Sequence, residues 1–154
     1  MNFENEFSNI ISKVSKTLGK EITDDSFQIL NIGHTRPTTL PKGKMAVYTF
    51  YSDESDEFLK IGKVGPNSNT RYTSQHYQPK SSKSNLASSI LKDATLVGKE
   101  DINEENVGQW ILNNLYRTDI ILDADLGPFA LDLVEASLHY VYQPKYEGYG
   151  SQRK

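Results

Sequence analysis

A carboxylate on the apolar face of a helix is the first feature of this sequence that suggests chemistry. Residues 128–142 repeat apolar side chains at helical spacing behind an initial proline, and the stripe consists of Leu131, Val134, Leu138 and Tyr142. At about 100° per residue, Glu135 projects from the middle of that stripe. A core-facing carboxylate is costly unless a cation or a metal ion pairs with it. Glu135 is therefore either half of a buried salt bridge, with Lys60 or Arg71, or a metal ligand at the bottom of a cleft.

A lysine within an apolar strand is the second such feature. Lys60 stands between Leu59 and Ile61 in a segment rich in strand formers. Such a lysine can extend along apolar surface until its ammonium reaches water. Alternatively, it places the ammonium beside a scissile phosphate or beside a tyrosine hydroxyl, where a positive charge favours the phenolate.

The third feature is a stretch of basic residues without acidic ones. The whole chain carries a net charge of −3, yet residues 60–92 contain no Asp or Glu. Their basic residues are Lys60, Lys63, Arg71, Lys80, Lys83 and Lys92. A local positive surface of this kind attracts phosphates. The alternative interpretation is a solvated loop and helix that happen to be basic.

The hydrophobic pattern predicts the elements that must position these residues. Helices are predicted at residues 3–18, 70–76, 81–92, 104–116 and 128–142, strands at 45–51, 58–64 and 118–122, and a short strand or extended piece at 24–32. We expect an α+β domain, a three-stranded antiparallel or mixed sheet flanked by helices. Residues 1–43 are expected to form an N-terminal helical extension, and residues 44–154 the principal domain of one compact unit.

Several of these residues together resemble the motifs of the GIY-YIG nuclease family. Val47-Tyr48 is followed, after eleven residues (49–59), by Lys60-Ile61-Gly62, and then by Arg71 and Glu135. In the family, two tripeptides lie on adjacent strands of a small sheet, and an arginine and a glutamate follow in this order. The resemblance covers residues 44–147, about two-thirds of the chain. It implies a GIY-YIG-like fold and nuclease activity.

The resemblance also implies a role for each matching residue. Tyr48 corresponds to the tyrosine that deprotonates or orients the attacking water. Arg71 corresponds to the arginine that stabilises phosphate charge, and Glu135 to the single protein ligand of the metal ion. His76 falls where the family often has a histidine or tyrosine near the phosphate, and Gly62 matches the glycine of the second tripeptide.

Two positions depart from the motif that gives the family its name. Ala46 replaces the first glycine, and Lys60 replaces the second tyrosine. A lysine there looks like the variant seen in some restriction endonucleases of the family, and suggests that Lys60 activates Tyr48 or the water. The departures leave open a catalytically inactive module that binds nucleic acid or a protein through the same cleft. A DNA-repair enzyme would use the same chemistry on a differently shaped substrate.

These implications agree with the physical chemistry of phosphodiester hydrolysis. An in-line displacement at phosphorus accumulates negative charge, which Mg²⁺ or Mn²⁺ stabilises while needing few protein carboxylates. The planar guanidinium of Arg71 suits a phosphate. We therefore expect a divalent-metal-dependent DNA endonuclease of the restriction or phage-defence type. Its duplex backbone contacts are expected at Lys63, Lys80, Lys83 and Lys92.

Composition excludes several other classes. The chain has no cysteine, so it forms neither disulfides nor thiolate zinc sites. No stretch approaches the roughly 20 apolar residues of a membrane span, and residues 1–7 do not begin a signal peptide. We expect a soluble, cytoplasmic protein without a membrane partner. A homodimer would supply the two active sites that a double-strand cut by single-site domains generally needs.

Overall fold

Four antiparallel strands form a sheet in the computed structural model, which describes residues 2–80, 85–96 and 101–146. The strands are β1 (Phe27–Gly33), β2 (Lys44–Ser52), β3 (Glu57–Val64) and β4 (Leu115–Asp123), in the spatial order β1-β4-β2-β3. β4 and β2 are central, and β3 lies at an edge. The α+β class predicted from the sequence is confirmed.

The prediction of three strands was wrong by one. The additional strand is β1, which lies within residues 1–43 and pairs with β4 from Phe27 opposite Leu122 onwards. β1 is the other edge of the sheet, and none of its residues is fully buried. Edge strands that are half-buried on both faces lack a clean alternation of apolar and polar residues. The sequence pattern for β1 is correspondingly weak.

Helices cover the sheet on both sides. Within the described residues they are α1 (Glu4–Leu18), α2 (Asn69–Thr73), α3 (Leu86–Lys92), α4 (Val107–Asn114) and α5 (Pro128–Tyr142), with 3-10 turns at Gln75–Tyr77 and Ala124–Leu126. α5 confirms the helix predicted at residues 128–142. α4 ends earlier than predicted because Leu115 and Tyr116 already belong to β4. No helix in this part of the chain is both long enough and apolar enough to cross a bilayer.

The two faces of the sheet carry separate hydrophobic cores. Because successive residues of a strand point to opposite faces, Val47 and Tyr48 of β2 belong to different cores. Val47 packs with α1 and α5, where Phe7 of α1 is completely buried. Tyr48 packs with residues of α2, α3 and α4. The helices that carry Arg71 and Glu135 therefore cover opposite faces of the sheet.

Candidate active site

The hydroxyl of Tyr48 lies over the backbone of the edge strand β3. Tyr48 pairs with Gly62 of β3, and only 3 % of its surface is exposed. A Cβ atom at position 62 would stand 2.3 Å from the Tyr48 hydroxyl oxygen and 2.5 Å from Cζ. Both distances are far inside van der Waals contact. Glycine is therefore the residue that lets the tyrosine ring pass over the strand at this point.

A neutral imidazole packs against the Tyr48 ring. His76 lies in the 3-10 turn after α2, and the centroids of the two rings are 4.1 Å apart. His76 is buried, and its Nε2 atom has no hydrogen-bond partner among the described residues. Burial holds the pKa of His76 well below its ordinary value of 6.5, and the charges of Arg117, Lys60 and Arg71 lower it further. The ring is therefore neutral near pH 7 and can accept a proton.

Lys60 lies on β3 directly beside a bulge in its pairing with β2. Phe50 lies opposite Lys60, but Tyr51 lies opposite Phe58, so Leu59 is the extra residue on the β3 side. Lys60 shares the register of Phe50, which is two residues from Tyr48, and this places it on the Tyr48 face of the sheet. Lys60 is half-buried there.

Arg71 belongs to the same region of the structure. It lies in α2 with an exposed side chain, five residues before His76. Because both Arg71 and Lys60 lower the pKa of His76, their charges lie close enough to act on that ring. The structure thus brings Tyr48, His76 and two cations together on one face of the sheet, beside its edge.

Glu135 approaches the same edge from the other face. It lies in α5, which packs against β3. Its side chain is 22 % exposed, whereas its neighbour Val134 is completely buried, so Glu135 lies at the margin of the apolar stripe. Its carboxylate is 3.9 Å from Nζ of Lys63, which also forms an ion pair with Asp132. Gly62 and Lys63 are neighbours on β3 but face opposite sides of the sheet, so Tyr48 lies on one side of this edge strand and Glu135 on the other.

The donor set around Glu135 suits a hard cation. Within residues 2–80, 85–96 and 101–146 there is no group of three or more His, Asp or Glu side chains arranged to hold a metal ion. Mg²⁺ does not need such a group, because it keeps several waters and binds through one or two carboxylates. Glu135 supplies a carboxylate of the kind that Mg²⁺ binds, next to the Lys63–Asp132 ion pair.

The lysines expected to contact DNA have different surroundings. Lys80 is exposed and lies 3.5 Å from Glu104, whereas Lys63 is half-buried in its ion pair with Asp132. Lys92 is exposed at the end of α3. Lys83 lies outside the described residues. Of these lysines, Lys63 pairs with Val47 and faces the α5 side of the sheet, opposite to the Tyr48 side.

An open groove of about 770 Å³ adjoins the segment that carries His76. Arg36, Tyr77 and Lys80 line one side, and Arg36 stacks 4.6 Å above the Tyr77 ring. Glu104 and Glu105 line the groove as well. These two carboxylates offset the charges of Arg36 and Lys80, so the groove has no net positive charge to attract a phosphate backbone. The region of Lys60 and Arg71 is therefore the more favourable place for a scissile phosphate.

A buried ion pair beneath the site escaped the sequence analysis. Arg117 and Asp119 lie two residues apart on β4, and at most 1 % of either is exposed. The Arg117 Nε–H donates to both Asp119 oxygens, at 2.9 and 3.1 Å. The sequence did contain a signal, because two opposite charges at i and i+2 in an apolar strand must share one face.

A comparison with models of protein families, with curated proteins and with solved structures found no match to this chain.

Proposed function

We propose that this chain is a divalent-metal-dependent DNA endonuclease of the GIY-YIG type, with a restriction or phage-defence role. The observation that supports it best is the arrangement at Gly62. A buried phenol lies over a glycine, a neutral imidazole packs on the phenol, and the charges of Lys60 and Arg71 act on the same place.

The two rings are suited to moving a proton from an attacking water. In the proposed reaction, Tyr48 holds the water through its hydroxyl. His76 is unprotonated near neutral pH, so it is the proposed base, and its ring packs on the Tyr48 ring. A protonated imidazole would be unable to take up a further proton. The burial that lowers the pKa of His76 therefore keeps the ring unprotonated, and it also makes the ring a weaker base than an exposed imidazole.

The two cations are suited to the charge that develops on phosphorus oxygens. Arg71 is exposed and presents a planar guanidinium, which pairs with two oxygens of a phosphate. Lys60 is half-buried, and a charge in a partly dry environment acts more strongly than one in water. Together they stabilise the additional negative charge of the displacement more than that of the starting phosphodiester.

Glu135 would hold the divalent cation. When bound, Mg²⁺ or Mn²⁺ supplies Lewis-acid stabilisation of the phosphate and of the leaving oxygen. Lys63 and Asp132 flank the carboxylate, and their ion pair balances one charge against the other.

One observation favours the alternative of a catalytically inactive binding module. Lys63 already places an ammonium 3.9 Å from Glu135, so the carboxylate has a cationic neighbour without a metal. If that ammonium satisfies Glu135, the same cleft can bind DNA without cutting it. The alternative predicts binding that does not depend on metal and a phosphodiester backbone that remains intact.

Removal of single hydroxyl groups tests the proposed function without disturbing the fold. Tyr48→Phe keeps the buried ring and deletes only the oxygen over Gly62. Tyr51→Phe is the matched control, because Tyr51 lies on the same strand, packs in the other core and bonds to Asp56. Supercoiled plasmid would be incubated with each protein, with and without Mg²⁺, and nicked and linear products measured over time.

We expect metal-dependent cleavage by the wild type and by Tyr51→Phe, and a loss of about 100-fold or more in Tyr48→Phe. Cleavage by Tyr48→Phe at the wild-type rate would exclude the proposed role of the hydroxyl. If the wild type cuts neither supercoiled, nicked nor branched DNA but binds it, the inactive-module alternative is favoured.

A further inference from the structure

The segment that carries Arg71 and His76 is attached to the sheet through one buried network. Arg117 donates from one terminal nitrogen to the Tyr72 carbonyl at 2.9 Å, and from the other to the Tyr77 hydroxyl at 3.1 Å. Tyr72 directly follows Arg71, and Tyr77 directly follows His76. The guanidinium therefore holds the segment next to both of its proposed site residues.

Asp119 completes this network. It accepts the Arg117 Nε–H and a hydrogen bond from the Tyr72 side chain, and it is completely buried. A buried carboxylate without such partners would be strongly unfavourable. Asp119 thus orients the guanidinium and also binds the segment itself.

The same guanidinium contacts the sheet side of the site. Its central carbon lies 5.8 Å from the centroid of the Tyr48 ring and 5.2 Å from that of Phe50. Asp119 is also the direct partner of Tyr48 in the pairing of β2 with β4. The Arg117–Asp119 pair is therefore close to the Tyr48 ring. It is also bonded to Tyr72 and Tyr77, which directly follow Arg71 and His76.

We infer that Arg117 and Asp119 are positioning residues of the proposed site, which hold the segment from Asn69 to Tyr77 in register with Tyr48. This inference rests on the proposed function for its catalytic part. Its structural part, the attachment of the segment to β4, stands independently of what the site does.

A purely structural ion pair would behave differently when it is replaced. Substitution of a buried pair by apolar residues of similar volume is often neutral or stabilising, because the desolvation of both charges is removed. The double variant Arg117→Met/Asp119→Leu is therefore expected to fold. The double variant loses all three hydrogen bonds to Tyr72 and Tyr77. In a folded double variant, a change confined to residues 69–77 therefore reports lost positioning and not lost stability.

A milder variant covers the case in which the double variant does not fold. Tyr77→Phe removes only the hydroxyl that accepts from Arg117. The matched control is Thr49→Val, which removes a buried hydroxyl that donates to the Thr118 carbonyl at 2.7 Å. Thr49 lies on a central strand and its hydroxyl bonds to β4, not to the segment 69–77.

The first readout is hydrogen exchange of peptides covering residues 69–77, compared with peptides of β2 and β4. We expect at least tenfold faster exchange of 69–77 in the double variant and in Tyr77→Phe, with β2 and β4 unchanged, and no effect of Thr49→Val. Unchanged exchange of 69–77 in both variants would overturn the inference. This readout needs no catalytic activity, so it remains decisive if the wild type cuts no DNA and the proposed function fails.

The second readout is steady-state cleavage of plasmid DNA in Mg²⁺. Misplacement of reacting groups by about 1 Å costs on the order of 100-fold in rate. We expect kcat to fall about 100-fold in a folded double variant and about tenfold in Tyr77→Phe, with KM changed less than kcat. A folded double variant with the wild-type kcat would show that the pair does not position the site.

Discussion

The substitution Gly62→Ala directly perturbs the packing of Tyr48 over β3. The added Cβ would stand 2.3 Å from the Tyr48 hydroxyl oxygen, whereas ordinary contact begins at 3.4 Å. The hydroxyl must therefore move by about 1 Å, or the two strands must separate. The centroid of the His76 ring is 4.1 Å from that of the Tyr48 ring, so the tyrosine ring has little room to tilt.

The size of the effect follows from two opposing contributions. Overpacking of a buried site costs about 1–3 kcal/mol. Replacing glycine by alanine also restricts the unfolded chain, which stabilises the protein by about 0.4–1 kcal/mol. We therefore expect a net loss of about 1–2 kcal/mol in the free energy of unfolding. The displacement of the hydroxyl would reduce cleavage about 100-fold.

The chain contains a matched control for this substitution. Gly65 lies just after β3, and a Cβ atom there would have no neighbour within 4 Å. Gly65→Ala therefore restricts the unfolded chain as much as Gly62→Ala does, but it causes no clash in the folded protein. Urea unfolding would give the stability of both variants, and nicking of supercoiled plasmid in Mg²⁺ would give their activity. Gly65→Ala is expected to match the wild type in activity and to unfold at the same or a slightly higher urea concentration.

Two results would refute this reasoning. Equal stability and activity of Gly62→Ala and Gly65→Ala would show that the Tyr48 ring does not occupy the space above Gly62. A loss of stability in Gly62→Ala with full activity per folded molecule would show that the position of the hydroxyl does not matter for cleavage.

Three further predictions concern other parts of the fold. Because burial keeps the pKa of His76 below its ordinary value of 6.5, the unfolded chain binds a proton that the folded chain does not. The free energy of unfolding should therefore fall as the pH drops below 6.5, by up to about 1.4 kcal/mol per pH unit. Urea unfolding should show a shallower dependence of this free energy on pH in His76→Gln, and an identical dependence would contradict the prediction. Phe7→Ala should lower the free energy of unfolding by about 3–5 kcal/mol, because the ring is completely buried between α1 and the sheet; a loss below about 1 kcal/mol would show that α1 is not part of that core. Thr118→Val should raise the melting temperature, because the buried Thr118 hydroxyl has no hydrogen-bond partner among the described residues. The change removes an unsatisfied polar group, which costs about 1 kcal/mol. A lower melting temperature would indicate a bound water that the valine displaces.

Local sequence pattern was sufficient to predict the elements with strong periodicity. The hairpin of β2 and β3 and the helix α5 follow from alternating apolar residues and from Pro128 at the first helical position. β1 was not counted in the sheet, because its pairing with β4 joins segments about 90 residues apart and its side chains are only half-buried. Long-range pairing of this kind is not encoded in a local window.

The site likewise has residues that local sequence predicts and contacts that only long-range packing determines. Tyr48, Lys60, Arg71 and Glu135 were singled out by residue type and spacing, but their contacts depend on strand register. The proximity of Lys63 to Glu135 arises because α5 packs across β3, and Lys60 faces the Tyr48 side because it is two residues from Gly62, the partner of Tyr48. The network of Arg117 depends on the path of residues 69–77 over the sheet, which periodicity does not predict.

The most direct test of metal-dependent cleavage is a Mg²⁺ titration of plasmid nicking with the wild type, Glu135→Gln and Asp132→Asn. Asp132→Asn is the control, because it removes the other carboxylate that contacts Lys63 and leaves Glu135 in place. We expect no nicking by the wild type in a chelator and saturable activation by Mg²⁺. Glu135→Gln should lose about 100-fold or more in rate, and Asp132→Asn should nick at a near-normal rate. Nicking by Glu135→Gln with the wild-type rate and Mg²⁺ dependence would contradict this expectation, as would full activity of the wild type in the chelator.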